Sequence, residues 1–188
     1  MKRVIIIHRW DASPESDWYQ SVSKSLEEKG FQVEIPEMPN TSEPEISAWT
    51  NKLKEIVPKP NIDTFFIGHS IGCQTIMRYL EQLDKKIKVG KIVFVAPWFN
   101  LQNLEDSQSE RITKPWIETP IDLDNVKSHL TSLIVIFSDN DEWVSLSDKE
   151  IFKSLLYAKV IVEHNKGHFT KDDGITDFLL VVKEVVTE

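Results

Sequence analysis

Short apolar runs alternate with amphipathic stretches along most of this chain. The runs are rich in Val, Ile and Phe and indicate buried β-strands, whereas the intervening stretches repeat apolar residues at helical spacing. Strands that alternate with helices favour a parallel sheet covered on both faces. The sequence therefore predicts an α/β protein, a three-layer α/β/α sandwich whose sheet is mostly or entirely parallel. We expect about six strands, near residues 4–7, 31–35, 63–67, 91–96, 133–137 and 159–163.

Helix start and stop signals lie between these runs. Gly30 follows the first amphipathic stretch and is typical of a helix end. Pro44, flanked by two glutamates, begins the next stretch, as helix starts prefer. We expect helices over about 16–29, 43–57 and 71–83, with a last helix near the C-terminus.

Regular periodicity fails between residues 97 and 125. This segment contains two tryptophans, three prolines and a polar run at 102–111. It is too long for an ordinary connection and too aromatic for a disordered linker. The prediction is one domain over 1–188, with a small cap-like insertion at about 97–125.

Composition excludes several classes of partner. The 188 residues carry a net charge of -8 and no basic tract, which disfavours nucleic acid. No apolar run has membrane-spanning length. Cys73 is the one cysteine, so no internal disulfide can form. These features predict a cytoplasmic protein with a small-molecule partner and no nucleic-acid or membrane partner; a protein partner stays open.

One pentapeptide carries candidate chemistry. Gly68-His69-Ser70-Ile71-Gly72 follows an apolar run and precedes a helix-like stretch. In that context the pattern predicts a nucleophile elbow, a strained strand-to-helix turn that exposes the serine hydroxyl. Side chains at positions 68 and 72 would collide with the neighbouring strand and helix. Ser70 is thus the predicted nucleophile.

An acid and a histidine follow Ser70 in the chain order of α/β-hydrolases. Each comes directly after a strand-like run, with Asp141 in the first loop and His168 in the second. His168 would take the serine proton and the carboxylate would orient the imidazole. Asp141 stands three residues before Val144, a spacing seen in hydrolase acid loops. Asp139 is the alternative acid, while Glu142 and Asp139 also fit a simple solvated turn.

The oxyanion of an acyl-transfer intermediate needs backbone N–H donors. Ile71, the residue after the nucleophile, supplies one expected donor. The second is expected in the loop that begins at His8, from Trp10 or alternatively from Arg9, which stands where hydrolases usually have glycine. The Arg9 guanidinium either binds a substrate carboxylate or phosphate or pairs with Asp11 or another surface acid.

Three tryptophans are candidate substrate-binding residues. Trp98 follows a strand end, Trp143 lies between the acid and Val144, and Trp116 lies in the cap-like segment. Together they suggest an apolar acyl or aryl site, although clustered tryptophans also anchor loops.

The ordered set of motifs resembles the small serine hydrolases that include YdeN-like esterases and retinoblastoma-binding protein nine. The resemblance covers nearly the whole chain. It implies a minimal α/β-hydrolase fold that lacks the first antiparallel strands, with Ser70, Asp141 and His168 as the triad. The residues that carry it are His8, Trp18, Met38-Pro39, Trp49, the elbow with Met77-Arg78-Tyr79, Lys114-Pro115-Trp116 and Gly167-His168-Phe169.

The resulting hypothesis is an enzyme that cleaves a small ester, thioester or amide through an acyl-Ser70 intermediate. It implies no metal and no organic cofactor. The alternative is a non-catalytic binding protein on a hydrolase scaffold, which Arg9 in the oxyanion loop favours. A nucleotide-binding domain is disfavoured, because no glycine-rich phosphate loop follows a strand.

Overall fold

The centre of the molecule is a six-stranded sheet in which every neighbouring pair of strands is parallel. The computed structural model describes residues 1–104 and 106–187. The strands are β1 (Arg3–Ile7), β2 (Gln32–Glu34), β3 (Thr64–His69), β4 (Ile92–Val95), β5 (Leu133–Ser138) and β6 (Lys159–Glu163). Their order in the sheet is β2-β1-β3-β4-β5-β6, which confirms the predicted fold class.

Burial explains the unbroken apolar runs. Every residue of β3, β4 and β5 is buried, because these central strands are covered on both faces. β2 and β6 lie at the edges of the sheet and are partly exposed. β2 lies on one side of β1 and β3 lies on the other, so the order in which the chain adds strands to the sheet reverses after β2. This reversal puts a crevice at the carboxyl ends of β1 and β3, where open α/β sheets bind ligands.

The helices form two groups on the sheet. They are α1 (Tyr19–Glu27), α2 (Ile46–Ile56), α3 (Ile71–Leu80), α4 (Ser107–Glu118), α5 (Leu123–His129), α6 (Lys149–Leu155) and α7 (Leu179–Val186), and a 3-10 turn covers Leu146–Asp148. α1 contacts α7, while α2, α3, α5 and α6 contact one another in a row, which gives the three predicted layers. The first helix begins later than the predicted residue 16, because Asp17 has a φ of 51° and cannot be helical.

The segment predicted as cap-like contains α4, a helix that its irregular pattern did not predict. Asp106 caps the helix by accepting a hydrogen bond from Ser109 N at 2.7 Å. Only a narrow side is buried, with Ile112 and Trp116 one turn apart, so the apolar signal is weak. Within the described ranges no helix is both long and apolar enough to cross a membrane.

Candidate active site

Ser70 lies in a strained turn between β3 and α3. Its φ of 53° and ψ of -118° are unfavourable for a residue with a side chain. A Cβ atom on Gly72 would lie 2.2 Å from the carbonyl oxygen of Ile7, and one on Gly68 would lie 2.8 Å from the amide of Cys73. Gly72 is therefore required by the close approach of α3 to β1, and Gly68 by the close approach of α3 to β3, as the elbow pattern predicts.

His168 is oriented by Asp141. His168 Nδ1 lies 2.7 Å from Asp141 Oδ2, and the two side chains are 7% and 2% exposed. The other carboxylate oxygen, Oδ1, accepts hydrogen bonds from the amides of Trp143 and Val144 at 2.9 and 3.0 Å. With its proton on Nδ1 and bonded to the carboxylate, the neutral ring leaves the lone pair of Nε2 free to accept a proton.

The alternative acid, Asp139, has a different partner. Its Oδ2 lies 2.5 Å from Nδ1 of His164, and its Oδ1 accepts from the amide of Asn165 at 2.9 Å. That amide and the His164 ring both lower the pKa of Asp139, while the carboxylate raises the pKa of His164. This exposed pair joins the loops after β5 and β6 and leaves Asp141 as the acid beside His168.

A second carboxylate, missed by sequence reasoning, organises the His168 loop. Asp173 Oδ2 accepts hydrogen bonds from the amides of His168 and Thr170 at 2.9 and 3.0 Å, and from the Thr170 hydroxyl at 2.8 Å. The amide of Asp173 donates in return to the Thr170 carbonyl at 3.1 Å. The Thr-x-x-Asp spacing from Thr170 to Asp173 is typical of reciprocal capping, and it is the sequence feature from which this contact could have been predicted.

A buried chain of hydrogen bonds connects this loop to the one after β1. His69 Nε2 lies 2.8 Å from the carbonyl oxygen of His168, so that nitrogen carries the proton and donates. His69 Nδ1 must then accept from the Tyr19 hydroxyl at 2.7 Å, which in turn accepts from the Arg9 amide at 3.1 Å. Burial, with a smaller effect of His168, holds the pKa of His69 well below its usual range, so the ring stays neutral.

The same chain of hydrogen bonds limits which backbone amide can be the second oxyanion donor. The Arg9 amide is already bonded to Tyr19, and the Arg9 carbonyl accepts from His8 Nδ1 at 2.8 Å. By contrast, the amide of Trp10 has no hydrogen-bond acceptor among residues 1–104 and 106–187. Ile71 begins α3, where the first amides have no acceptor within the helix.

The Arg9 guanidinium pairs with a buried acid rather than with Asp11. Nε lies 2.8 Å from Asp17 Oδ2, and Nη1 donates to the Trp10 carbonyl at 3.1 Å. The Asp17 side chain is 1% exposed and also accepts from the amide of Lys171 at 2.9 Å. The expected partner of Arg9, Asp11 or another surface acid, was therefore wrong. Through its bonds to Arg9 and Lys171, Asp17 joins the loop after β1 to the His168 loop.

Ser70 and His168 line one cavity of about 260 Å³. Within the described ranges, no hydrogen bond joins Ser70 Oγ to His168; Oγ instead accepts from Trp98 Nε1 at 3.2 Å. Leu101 and Leu104, from the segment after Trp98, were not predicted as lining residues. The lining consists of Arg9, Trp10, Asp11, Ser70, Leu101, Leu104, Ser109, Trp143 and His168.

The three candidate tryptophans lie in three different environments. Trp143 lines the cavity, with its ring 5.1 Å from the His168 ring at an angle of 88°. Trp98 is buried behind the cavity and contacts Ser70. Trp116 lies elsewhere: it packs on Trp49 and lines a different cavity, together with Pro44 and Thr119. The structure does not bring it to the Ser70 cavity, and its role in substrate binding stays a prediction. Its position in the core follows from the need to bury α4.

A parallel sheet with a serine elbow at the end of β3 defines an α/β-hydrolase fold. The chain belongs to the serine hydrolase family, whose profile matches residues 4–185. The family resemblance inferred from the motifs is thereby confirmed.

Two relatives and two solved structures illustrate this membership. The chain is 29% identical to YdeN of Bacillus subtilis over 191 residues, covering 99% of this chain and 95% of YdeN. It is 26% identical to the serine hydrolase RBBP9 of Rattus norvegicus over 172 residues, covering 90% and 87%. The crystal structure of the ydeN gene product superposes with a TM-score of 0.88 at 26% identity, covering 97% of this chain and 96% of that one. Est1E from Butyrivibrio proteoclasticus, solved with ferulic acid, shares the fold at a TM-score of 0.70 and 14% identity, covering 96% and 88%.

Proposed function

We propose that this protein hydrolyses a small carboxylic ester, or a related thioester or amide, through an acyl-Ser70 intermediate. The observation that carries the proposal is a buried imidazole, bonded through Nδ1 to Asp141, in the same cavity as an elbow serine. These are the parts that nucleophilic acyl transfer requires.

In acylation, Ser70 Oγ attacks the carbonyl carbon while its proton passes to His168 Nε2. The carbonyl electron pair moves to oxygen, where the amides of Ile71 and Trp10 are the proposed donors. Asp141 stabilises the imidazolium by accepting from Nδ1. When the intermediate collapses, the bond to the leaving group breaks and that group takes the proton from His168.

Deacylation repeats these steps with water as the nucleophile. Water attacks the acyl carbon and gives one proton to His168 Nε2. The bond between that carbon and Ser70 Oγ then breaks, and Oγ takes the proton back. The acid product leaves and the resting site is restored.

The cavity favours a small, uncharged acyl group. Its volume is about 260 Å³, and Leu101, Leu104 and Trp143 supply apolar surface. The charged lining residues, Arg9 and Asp11, have opposite signs, and Arg9 is paired with Asp17. An anionic substrate group would therefore meet a guanidinium whose charge is already compensated by Asp17, so the site does little to stabilise a charged acyl group.

The binding-protein alternative loses its main argument. Arg9 was the feature that favoured it, but the Arg9 backbone is bonded to Tyr19 and His8. Among residues 1–104 and 106–187 the amide of Trp10 has no acceptor, so it can serve as the oxyanion donor in place of Arg9. A resting site with no Ser70–His168 hydrogen bond in the described part of the chain is compatible with catalysis, because catalytic hydrogen bonds often form only with substrate bound.

Labelling with a fluorophosphonate tests the proposal. We expect one adduct, mapped by mass spectrometry to Ser70 and absent in Ser70→Ala and His168→Ala. Absence of any adduct from folded wild type would favour the binding protein. Nitrophenyl esters of increasing acyl length should then show falling kcat/KM once the chain exceeds the cavity; equal rates at every length would contradict the assigned pocket.

A further inference from the structure

A buried indole contacts the oxygen of the proposed nucleophile. Trp98 Nε1 lies 3.2 Å from Ser70 Oγ, and the two residues are 1% and 7% exposed. An indole N–H donates and cannot accept, so Oγ is the acceptor. The hydroxyl proton of Ser70 must therefore point away from the indole and is available to another acceptor in the cavity.

The position of Trp98 is determined by contacts on both sides. Ala96, directly after β4, has a φ of 47°, which turns the chain sharply before Pro97. Gln74, one helical turn after Ser70, donates through Nε2 to the Trp98 carbonyl at 2.9 Å. Asp148 Oδ2 accepts from the amides of the two residues after Trp98, at 2.6 and 3.1 Å. These contacts hold the indole against the nucleophile without any contribution from substrate.

We propose that Trp98 is a further catalytic residue, which donates its indole N–H to Ser70 Oγ during both attack and departure of that oxygen. The inference rests on the proposed function. In attack, one Oγ lone pair forms the bond to carbon while another accepts from the indole, and the proton goes to His168. In deacylation, the bond between carbon and Oγ breaks and its electron pair stays on Oγ, where the donor stabilises the developing charge.

The competing explanation is that Trp98 only packs. Trp116 offers a matched control, because both tryptophans are 1% exposed and each donates one N–H, Trp116 to the Pro44 carbonyl at 3.0 Å. A change to phenylalanine removes one indole ring and one hydrogen bond in either case. Only the change at position 98 removes a donor from the reacting oxygen.

The experiment compares fluorophosphonate labelling rates and thermal unfolding of wild type, W98F and W116F. We expect the rate constant at Ser70 to fall about ten- to a hundred-fold in W98F and by less than about threefold in W116F. A folded W98F that is labelled at the wild-type rate would overturn the role of Trp98 and leave the proposed function intact. Equal losses in both variants would also overturn it, because they would indicate loss of packing. An unlabelled wild type would overturn both proposals.

A second variant covers the case in which W98F does not fold. Site-specific replacement of Trp98 by 3-benzothienylalanine keeps the shape of the bicyclic ring and removes the N–H. The same fall in labelling rate is expected for this variant. An unchanged rate would overturn the inference.

Discussion

Replacing Asp141 by asparagine should inactivate the enzyme by reversing the tautomer of His168. Two backbone amides point at Oδ1 of residue 141, from Trp143 and Val144. In Asp141→Asn the carbonyl oxygen must therefore occupy that position, and the NH₂ group must face His168 Nδ1. Since an NH₂ group donates, Nδ1 must accept, and the ring proton moves to Nε2. Nε2 can then no longer take the serine proton.

The size of the loss follows from the same geometry. The variant keeps both backbone hydrogen bonds and the shape of the side chain, so little stability should be lost. Loss of the correct tautomer in a Ser-His-Asp site lowers kcat about 10⁴-fold. We expect a similar fall in kcat for a nitrophenyl ester at pH 7, with a melting temperature within about 4–8 °C of wild type.

Asp139→Asn provides the matched control, because Asp139 is exposed and pairs with His164. Exposed ion pairs contribute little to stability, and this one does not contact His168, so kcat should change by less than about threefold. The assay is ester hydrolysis, with circular dichroism to verify folding. Near-normal turnover in Asp141→Asn, or inactivation by Asp139→Asn instead, would refute the assignment of the acid.

Two further predictions concern the His168 loop and the effect of acid. Asp173→Ala should lower the free energy of unfolding by about 1–3 kcal/mol and also reduce fluorophosphonate labelling of Ser70, because the His168 amide loses its acceptor. The neighbouring variant Asp172→Ala should do neither. Equal effects of the two variants would contradict the role of Asp173 in organising the His168 loop. Burial lowers the pKa of His8 and His69 below 6.5, so below that pH the unfolded chain binds more protons than the folded protein. The free energy of unfolding should then fall on acidification by up to about 1.4 kcal/mol per pH unit for each ring. Urea titrations from pH 7 to pH 5 measure this slope; His69→Gln should reduce it, and an unchanged slope would contradict a buried neutral His69.

The strands and the elbow could be predicted because neighbouring residues determine them. The run at 133–137 lies in β5, and the run at 159–163 is β6. The start of α1 could not be predicted, since Asp17 is held by Arg9 from the loop after β1. α4 was missed because most of its surface is exposed and only a few apolar residues mark its buried side.

The candidate site likewise contains some residues that the sequence predicted and others that it could not identify. Chain order placed Ser70, Asp141 and His168 at carboxyl ends of parallel strands, which meet at one edge of a sheet. No spacing could distinguish Trp98, which contacts Ser70, from Trp116, which packs in the core. Both are apolar residues of one irregular segment, and their environments depend on how that segment folds over the sheet.

By itself, the amino-acid sequence determined the α/β class, the elbow at Ser70 and the order of the acid and base, because backbone preference and burial are encoded by adjacent residues. Only the tertiary structure decided which partner each polar group has: Asp141 with His168, Asp139 with His164, and Arg9 with Asp17. These pairs depend on the order of strands in the sheet and on the packing of its loops. The energy of a hydrogen bond changes over fractions of an ångström, whereas a sequence pattern specifies only which segments come near one another.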